Sequence, residues 1–212
     1  MGRGNADVSY DSESVTIDGK KYPARVIGKG AFARALHVPS RRLPIVIIVK
    51  DEMNDYSKEI MSGVASSNKH LPRIRPLGLL KEGRAYEMPL YGMPLRKNRA
   101  PEAWAIYKTL DTVWWETVLR PRTSIGRSPR SGYENMYNFV HEALPGKVPR
   151  SVINALQAIM DEAANYGSEY TFEWDARNLG YDKHGNLILV DPVYSTEAIA
   201  HVREKRLKPN PR

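Results

Sequence analysis

The stretch Phe172-Glu173-Trp174-Asp175-Ala176-Arg177-Asn178-Leu179-Gly180-Tyr181-Asp182-Lys183-His184-Gly185-Asn186-Leu187-Ile188-Leu189-Val190-Asp191-Pro192-Val193 decides how this chain reads. Its first part reads as a loop that closes on a short strand. Residues 182–186 read as a tight turn, because Asp, Gly and Asn tolerate turn dihedrals. Residues 187–190 read as a buried strand that delivers Asp191 at its end. A hairpin of this kind sets the Asn178 amide oxygen beside the Asp191 carboxylate. Such a pair can hold magnesium on a nucleotide's phosphates, since magnesium takes oxygen ligands and keeps its phosphate ligands. The plainer alternative is a surface hairpin carrying ordinary polar residues.

Working outward, the N-terminal third adds a second feature. Residues 26–36, Val-Ile-Gly-Lys-Gly-Ala-Phe-Ala-Arg-Ala-Leu, fit strand, glycine-rich turn, strand. Gly28 and Gly30 leave room for backbone to approach phosphates, flanked by Lys29, Ala31 and Phe32 at the loop tip. Ala33 stands where a third glycine of G-x-G-x-x-G would fall, and a plain hairpin turn is the alternative. No helix pattern follows, which argues against a Rossmann phosphate loop. Then comes Pro44-Ile45-Val46-Ile47-Ile48-Val49-Lys50, a β-branched run that reads as a buried strand ending in Lys50. Asn54 and Asp55 are candidate N-caps for a helix over 55–66, with Tyr56, Ile60 and Val64 along one face. Glu59 stands on that helix, where a carboxylate can pair with Lys50 and aim its ammonium at phosphates. An exposed helix glutamate is the alternative.

Taken together, these residues resemble a protein kinase. Gly28-x-Gly30-x-x-Ala33 matches the glycine-rich loop, Ile48-Val49-Lys50 the strand lysine and Glu59 the helix glutamate. Residues 84–91, Arg-Ala-Tyr-Glu-Met-Pro-Leu-Tyr, look like the hinge where adenine would meet Glu87, Met88 and Leu90. Asn178 matches the metal-binding asparagine, and Asp191-Pro192-Val193 stands where Asp-Phe-Gly is usual. The order agrees from about residue 22 to 195. The resemblance is to the early serine/threonine kinases of autographivirus-type short-tailed phages. It implies an α+β, compact bilobal protein kinase-like fold, with an antiparallel-sheet N-lobe and a reduced helical C-lobe. It also implies ATP and Mg2+ as cofactors, Asn178 and Asp191 as metal ligands, and host proteins such as transcription or RNA-processing enzymes as partners.

The departures are as specific as the matches. The position of the family's catalytic aspartate falls on Glu173, preceded by Thr171 and Phe172 rather than His-Arg. Glutamate keeps the carboxylate but reaches one methylene further. Asp175 competes for the catalytic role, at a position where small kinases place a cation, and Arg177 can supply the missing positive charge. The candidate catalytic set is therefore Glu173, Asp175, Lys50 and Glu59. The sequence stops at Arg212, leaving room after Asp191 for one helix over 195–205, so substrate recognition is expected to come from elsewhere or from charge.

Composition fits a single globular unit. The chain has 212 residues, of which 42% are hydrophobic, enough for a core. It has no cysteine, which excludes disulfides and thiolate metal sites. His37, His70, His141, His184 and His201 are scattered without zinc-ligand spacing. No apolar run is long enough to span a bilayer, and the N-terminus lacks a signal-peptide core. A cytoplasmic protein is expected, in the host cytoplasm if phage-encoded. The expected organisation is a loose polar leader over 1–14, a strand-rich N-lobe over 15–90 and a C-lobe over 91–212. That last part would hold a basic linker (91–101), an amphipathic helix (102–119), an exposed loop (120–132) and helices near 133–142 and 149–166. Trp104, Trp114 and Trp115 on the first of these helices read best as core packing.

Charge supports a rival reading. The net charge is +8, from 32 basic and 24 acidic residues. Basic residues crowd 96–99, 120–130 and 203–212, and can draw nucleic acid weakly and nonspecifically, or an acidic partner, by long-range steering. No recognition-helix or stacked-aromatic motif is visible, so sequence-specific DNA reading is not expected. Thr123, Ser124, Ser128 and Ser131 lie among arginines as candidate self-phosphorylation sites. Three functions follow: a Ser/Thr protein phosphotransferase, a catalytically weak or dead binder that inhibits a host enzyme or nucleic-acid-associated partner, and a small-molecule kinase.

Overall fold

The computed structural model describes residues 6–11, 13–29, 33–50, 56–64, 67–80, 83–120 and 131–200. Eight strands form one mixed sheet: β1 (Ala6–Tyr10), β2 (Ser14–Ile17), β3 (Lys20–Pro23), β4 (Arg25–Lys29), β5 (Ala33–His37), β6 (Ile45–Lys50), β7 (Arg75–Leu80) and β8 (Gly83–Met88). Their order is β3-β2-β1-β7-β8-β6-β5-β4. All neighbours are antiparallel except β1 and β7, which pair parallel through Ala6↔Gly78 and Asp7↔Leu79.

This sheet overturns the bilobal kinase-like architecture expected from the sequence. An antiparallel N-lobe sheet was expected; the protein instead builds an eight-stranded, mixed, nearly closed barrel-like sheet. The physical cause is the N-terminal segment. Residues 6–10, expected in a loose leader, form β1 and extend the sheet by three strands through the parallel pairing with β7. The sheet then curls to bury its inner face. Val46 and Ile48 on β6 cluster with Leu36 and Ala85, and also with Val8, Val15 and Ile17 from the added strands. The Arg34 guanidinium lies 5.4 Å from the Tyr10 ring and that of Arg41 5.3 Å from the Tyr22 ring, tying the two arms of the curl together. The turn between β2 and β3 places Asp18 and Gly19 at φ 50° and 73°, the left-handed geometry that two-residue hairpins demand.

The other face of β6 carries Ile45, Ile47 and Val49, which pack into the main core with the helices. Both faces of β6 are buried, which is why its sequence is a continuous apolar run rather than an alternation. The helices are α1 (Ser57–Gly63), α2 (Pro101–Trp114, continuing as a π-helical turn through Leu119), α3 (Gly132–Asn138, continuing likewise through Ala143) and α4 (Arg150–Ala163). Pro101 opens α2, where its missing N–H costs nothing. Ser131 caps α3 in a capping box with Glu134, each bonding the other's backbone N–H at 3.1 and 2.9 Å. On α4, Val152, Leu156, Ile159, Met160 and Ala163 are buried, the side expected from their spacing. Trp114 is in the core, edge-on to Phe139 at 5.0 Å and to Phe172 at 6.0 Å, whereas Trp115 is exposed. Of the helix expected over 195–205, residues 196–200 are helical and the remainder lies outside the described residues.

Two short pairings follow the helices. β9 (Tyr170–Phe172) pairs with β12 (Val193–Ser195), and β10 (Gly180–Tyr181) pairs with β11 (Leu187–Ile188). Asp182 closes the turn of the second pair, its Oδ1 accepting from the backbone N–H groups of His184 and Asn186 at 2.8 and 2.9 Å. No helix among the described residues is long and apolar enough to cross a membrane.

Candidate functional site

The β9–β12 register places the candidate site. Phe172 stands opposite Val193, so the next residue on one side and the previous one on the other must also meet. Glu173 N–H donates to the Pro192 carbonyl at 2.8 Å, and Asp191 N–H donates to the Asn178 carbonyl at 2.8 Å. Between them the chain makes a 3-10 turn, Ala176–Asn178, capped by Asp175. Leu95 N–H spans this turn, donating to the carbonyls of both Ala176 and Leu179 at 3.0 Å. The buried rings of Phe172 and Trp174, 5.5 Å apart and packed on Phe139, hold Glu173 from either side.

Glu173, Asn178 and Asp191 are thereby brought together. The Asn178 side-chain amide donates to Glu173 Oε2 at 2.8 Å, which leaves the amide oxygen of Asn178 as an acceptor elsewhere. Burial, with the negative charges of Asp175 and Asp191, pushes the Glu173 carboxyl above the usual carboxylate range; the Asn178 hydrogen bond and Arg177 oppose this. Asp175 behaves in the opposite way. Its carboxylate accepts from the Arg177 side chain at 2.5–3.1 Å and from the Arg177 backbone N–H at 2.8 Å. That Arg177 contact holds the Asp175 carboxyl below its ordinary value. Arg177 thus brings a positive charge to this position but spends it on Asp175, which serves as the turn's cap.

Other expected site residues are placed differently. Glu59 pairs with Arg84 on β8, and the Arg84 guanidinium in turn lies 5.0 Å from the Tyr56 ring. Lys50 ends β6 as expected, but its side chain lies outside the described residues, as do Gly30, Ala31, Phe32 and the candidate caps Asn54 and Asp55. Gly28 and Lys29 are exposed on β4; Gly28 sits at an irregularity in the β4–β5 register, where an added Cβ would meet Ala35 at an ordinary 3.6 Å. Glu87 is only 6% exposed, and its carboxylate takes Arg41 at 2.7 Å and Arg75 at 2.6 Å. Its side chain is therefore a structural anchor joining β7, β8 and the segment after β5. Met88 is buried opposite Ile45, while Leu90 is exposed.

One participant was missed in the sequence. Lys58, on α1, forms an ion pair with Asp191 Oδ1. Its side chain is 8% exposed against 38% for Asp191. The signal available was slight: Lys58 falls three residues before Met61, on a helix face that is otherwise buried. His70 was also passed over as one of several scattered histidines. Its ring lies 2.8 Å from the Leu187 carbonyl through Nδ1 and 3.0 Å from Ser151 Oγ through Nε2, and its backbone carbonyl accepts from Leu189 N–H at 2.9 Å. It clamps the segment that delivers Asp191.

The donor set suits one class of cation. Asn178 offers an amide oxygen and Asp191 a carboxylate, both hard oxygens. Among the described residues no group of three His, Cys, Asp or Glu side chains forms a metal cage. Such a set fits magnesium that keeps phosphate and water ligands, rather than a metal enclosed by protein. No protein-family model matches the chain, and no curated protein matches it.

Proposed function

We propose that this protein is an ATP-dependent phosphotransferase acting on serine or threonine hydroxyls of other proteins. The observation that carries the reading is the convergence of Glu173, Asn178 and Asp191 through the β9–β12 register and the Asn178–Glu173 hydrogen bond. A Mg2+ ion held by Asn178 and Asp191 would neutralise phosphate charge. Glu173 is the proton acceptor. Its raised carboxyl lies closer to neutrality than an ordinary glutamate, which suits a general base. The acceptor hydroxyl oxygen forms a bond to the γ-phosphorus, the bond from that phosphorus to the bridging oxygen breaks, the hydroxyl proton passes to Glu173, and ADP leaves with the electron pair. Asn178 fixes the Glu173 carboxylate, so that catalysis rests on positioning and electrostatics.

The protein acceptor and the phage-host setting, in the host cytoplasm, rest on the sequence resemblance to autographivirus kinases. The test is incubation of the pure protein with γ-labelled ATP, Mg2+ and bacterial lysate, with labelled products identified by mass spectrometry. Label should appear on protein serine or threonine and should fall by orders of magnitude in Lys50→Ala and Asp191→Ala. Label on a metabolite instead would assign a small-molecule kinase. Near-wild-type transfer by Asp191→Ala would refute the arrangement.

A second reading has its own support. Asp191 already carries the Lys58 cation and Asp175 is engaged by Arg177, as in a protein that binds a partner without turnover. Glu173→Ala separates the two, since it abolishes transfer in the first and leaves partner binding intact in the second.

A further inference from the structure

Helix α1 presents two adjacent, opposite charges to two different parts of the molecule. Adjacent helical residues point about 100° apart, so one short helix can serve both. Glu59 turns to Arg84 on β8; Lys58 turns to Asp191. The helix is tied at its start by Tyr56 N–H donating to the Tyr170 hydroxyl at 3.0 Å, and Tyr170 belongs to β9, the strand leading into Glu173. At its end Gly63 lies against Glu162 of α4, so closely that a Cβ there would fall 2.4 Å from Glu162 Oε1. The Lys58 stem is buried, and Asp191 Oδ1, the oxygen it contacts, is itself out of solvent although the carboxylate as a whole is partly exposed.

We infer that Lys58 is the positioning residue that sets this site's divalent-cation requirement: its ammonium pairs with the Asp191 carboxylate, and a metal bound there would compete with it for that carboxylate's charge. The inference deepens the proposed function and rests on its assignment of Asp191 as a metal-binding carboxylate. The chemistry is competitive. Magnesium would need the carboxylate at close range, and two cations on one carboxylate repel each other in a half-buried site. The ammonium also offsets the negative charge accumulated by Asp191 and Glu173, holding the carboxylate ready without a metal. Displacement of Lys58 releases α1 from Asp191 while Glu59 keeps it tied to β8, so metal binding is linked to the position of this helix.

The test is calorimetric titration of Mg2+, with a non-hydrolysable ATP analogue present, into wild type, Lys58→Met, Lys58→Arg and Asp191→Asn. Lys58→Met should need about tenfold less Mg2+, the change expected for removing one partly buried competing charge. Lys58→Arg keeps the cation and should stay near wild type, and Asp191→Asn should lose the metal. An unchanged or higher requirement in Lys58→Met, with Asp191→Asn still defective, overturns the inference and leaves the proposed function standing. Wild-type metal binding by Asp191→Asn overturns the metal assignment itself, and the inference with it. If Lys58→Met does not fold, the Lys58 ammonium resonance of the wild-type protein decides. It should shift as Mg2+ and the analogue saturate the site, and an unmoved resonance at saturation overturns the inference.

Discussion

The Asn178 side-chain amide donates to Glu173 Oε2 at 2.8 Å, across a turn whose ends are stapled by backbone hydrogen bonds to Pro192 and Asp191. That relationship orients the carboxylate proposed to accept the hydroxyl proton, and it makes the glutamate's protonation state the quantity to test.

Glu173→Gln keeps the size and the burial but removes the proton acceptor. Transfer should fall about 10²–10⁴-fold, with nucleotide binding little changed. In the wild type, transfer should be lost as pH falls through a value above the ordinary glutamate range, because the base must be ionised and its carboxyl is held high by burial and by Asp175 and Asp191. The stability sign is opposite. A carboxyl raised in the folded state is most favourable protonated, so its contribution is present below the unfolded value and lost as pH rises through the folded one. Glu173→Gln should therefore melt no lower than wild type at neutral pH, as differential scanning calorimetry would read.

Burial lowers the His70 pKa below its ordinary value, despite the Leu187 carbonyl hydrogen bond. The unfolded chain thus takes up the proton first as pH falls. The stability His70 confers should be complete above about pH 6.5 and should decline below it, until the folded ring also protonates. Melting temperature measured from pH 7.5 to 5 should drop in wild type, and the drop should be smaller in His70→Gln. Equal slopes in the two proteins would rule out His70 as the cause.

Removing Glu87 leaves two arginines without their carboxylate in a mostly buried site. Glu87→Ala should cost about 2–3 kcal/mol, below the full penalty of a buried pair because Arg75 is half exposed. Urea unfolding reads this directly. Leu90→Ala, on an exposed side chain, should change the midpoint little.

Gly132 is a packing constraint. A Cβ there would lie 2.2 Å from the Tyr170 backbone carbonyl oxygen, and backbone cannot swing aside as a side chain can. Gly132→Ala should destabilise by about 1–3 kcal/mol and displace β9, so transfer should fall with stability. Gly146→Ala meets open space, so its cost should be only the backbone strain of φ +79°, about 1–2 kcal/mol, with no effect on transfer.

The elements were legible where their signals are local. The helices over Pro101–Trp114 and Arg150–Ala163 and the strand ending at Lys50 follow from apolar period within a few residues. The strand at Ala6–Tyr10 was not legible, because its short polar sequence becomes a strand only by pairing with Ser14–Ile17 and, in parallel, with a strand some seventy positions later. The local sequence around Glu87 matches a hinge, whereas its ties to Arg41 and Arg75 depend on which strands lie side by side.

Charge, the absence of cysteine, the periodicity of the two long helices and of the strand ending at Lys50, and the order of Glu173, Asn178 and Asp191 were settled by the sequence alone, since each is read directly along the chain. The tertiary structure decided that the sheet has eight strands and curls on itself, that Glu59 belongs to Arg84, and that Lys58 covers Asp191. Buried charges must find partners, and which partner lies within reach is set by the packing of distant segments, a property no local pattern encodes.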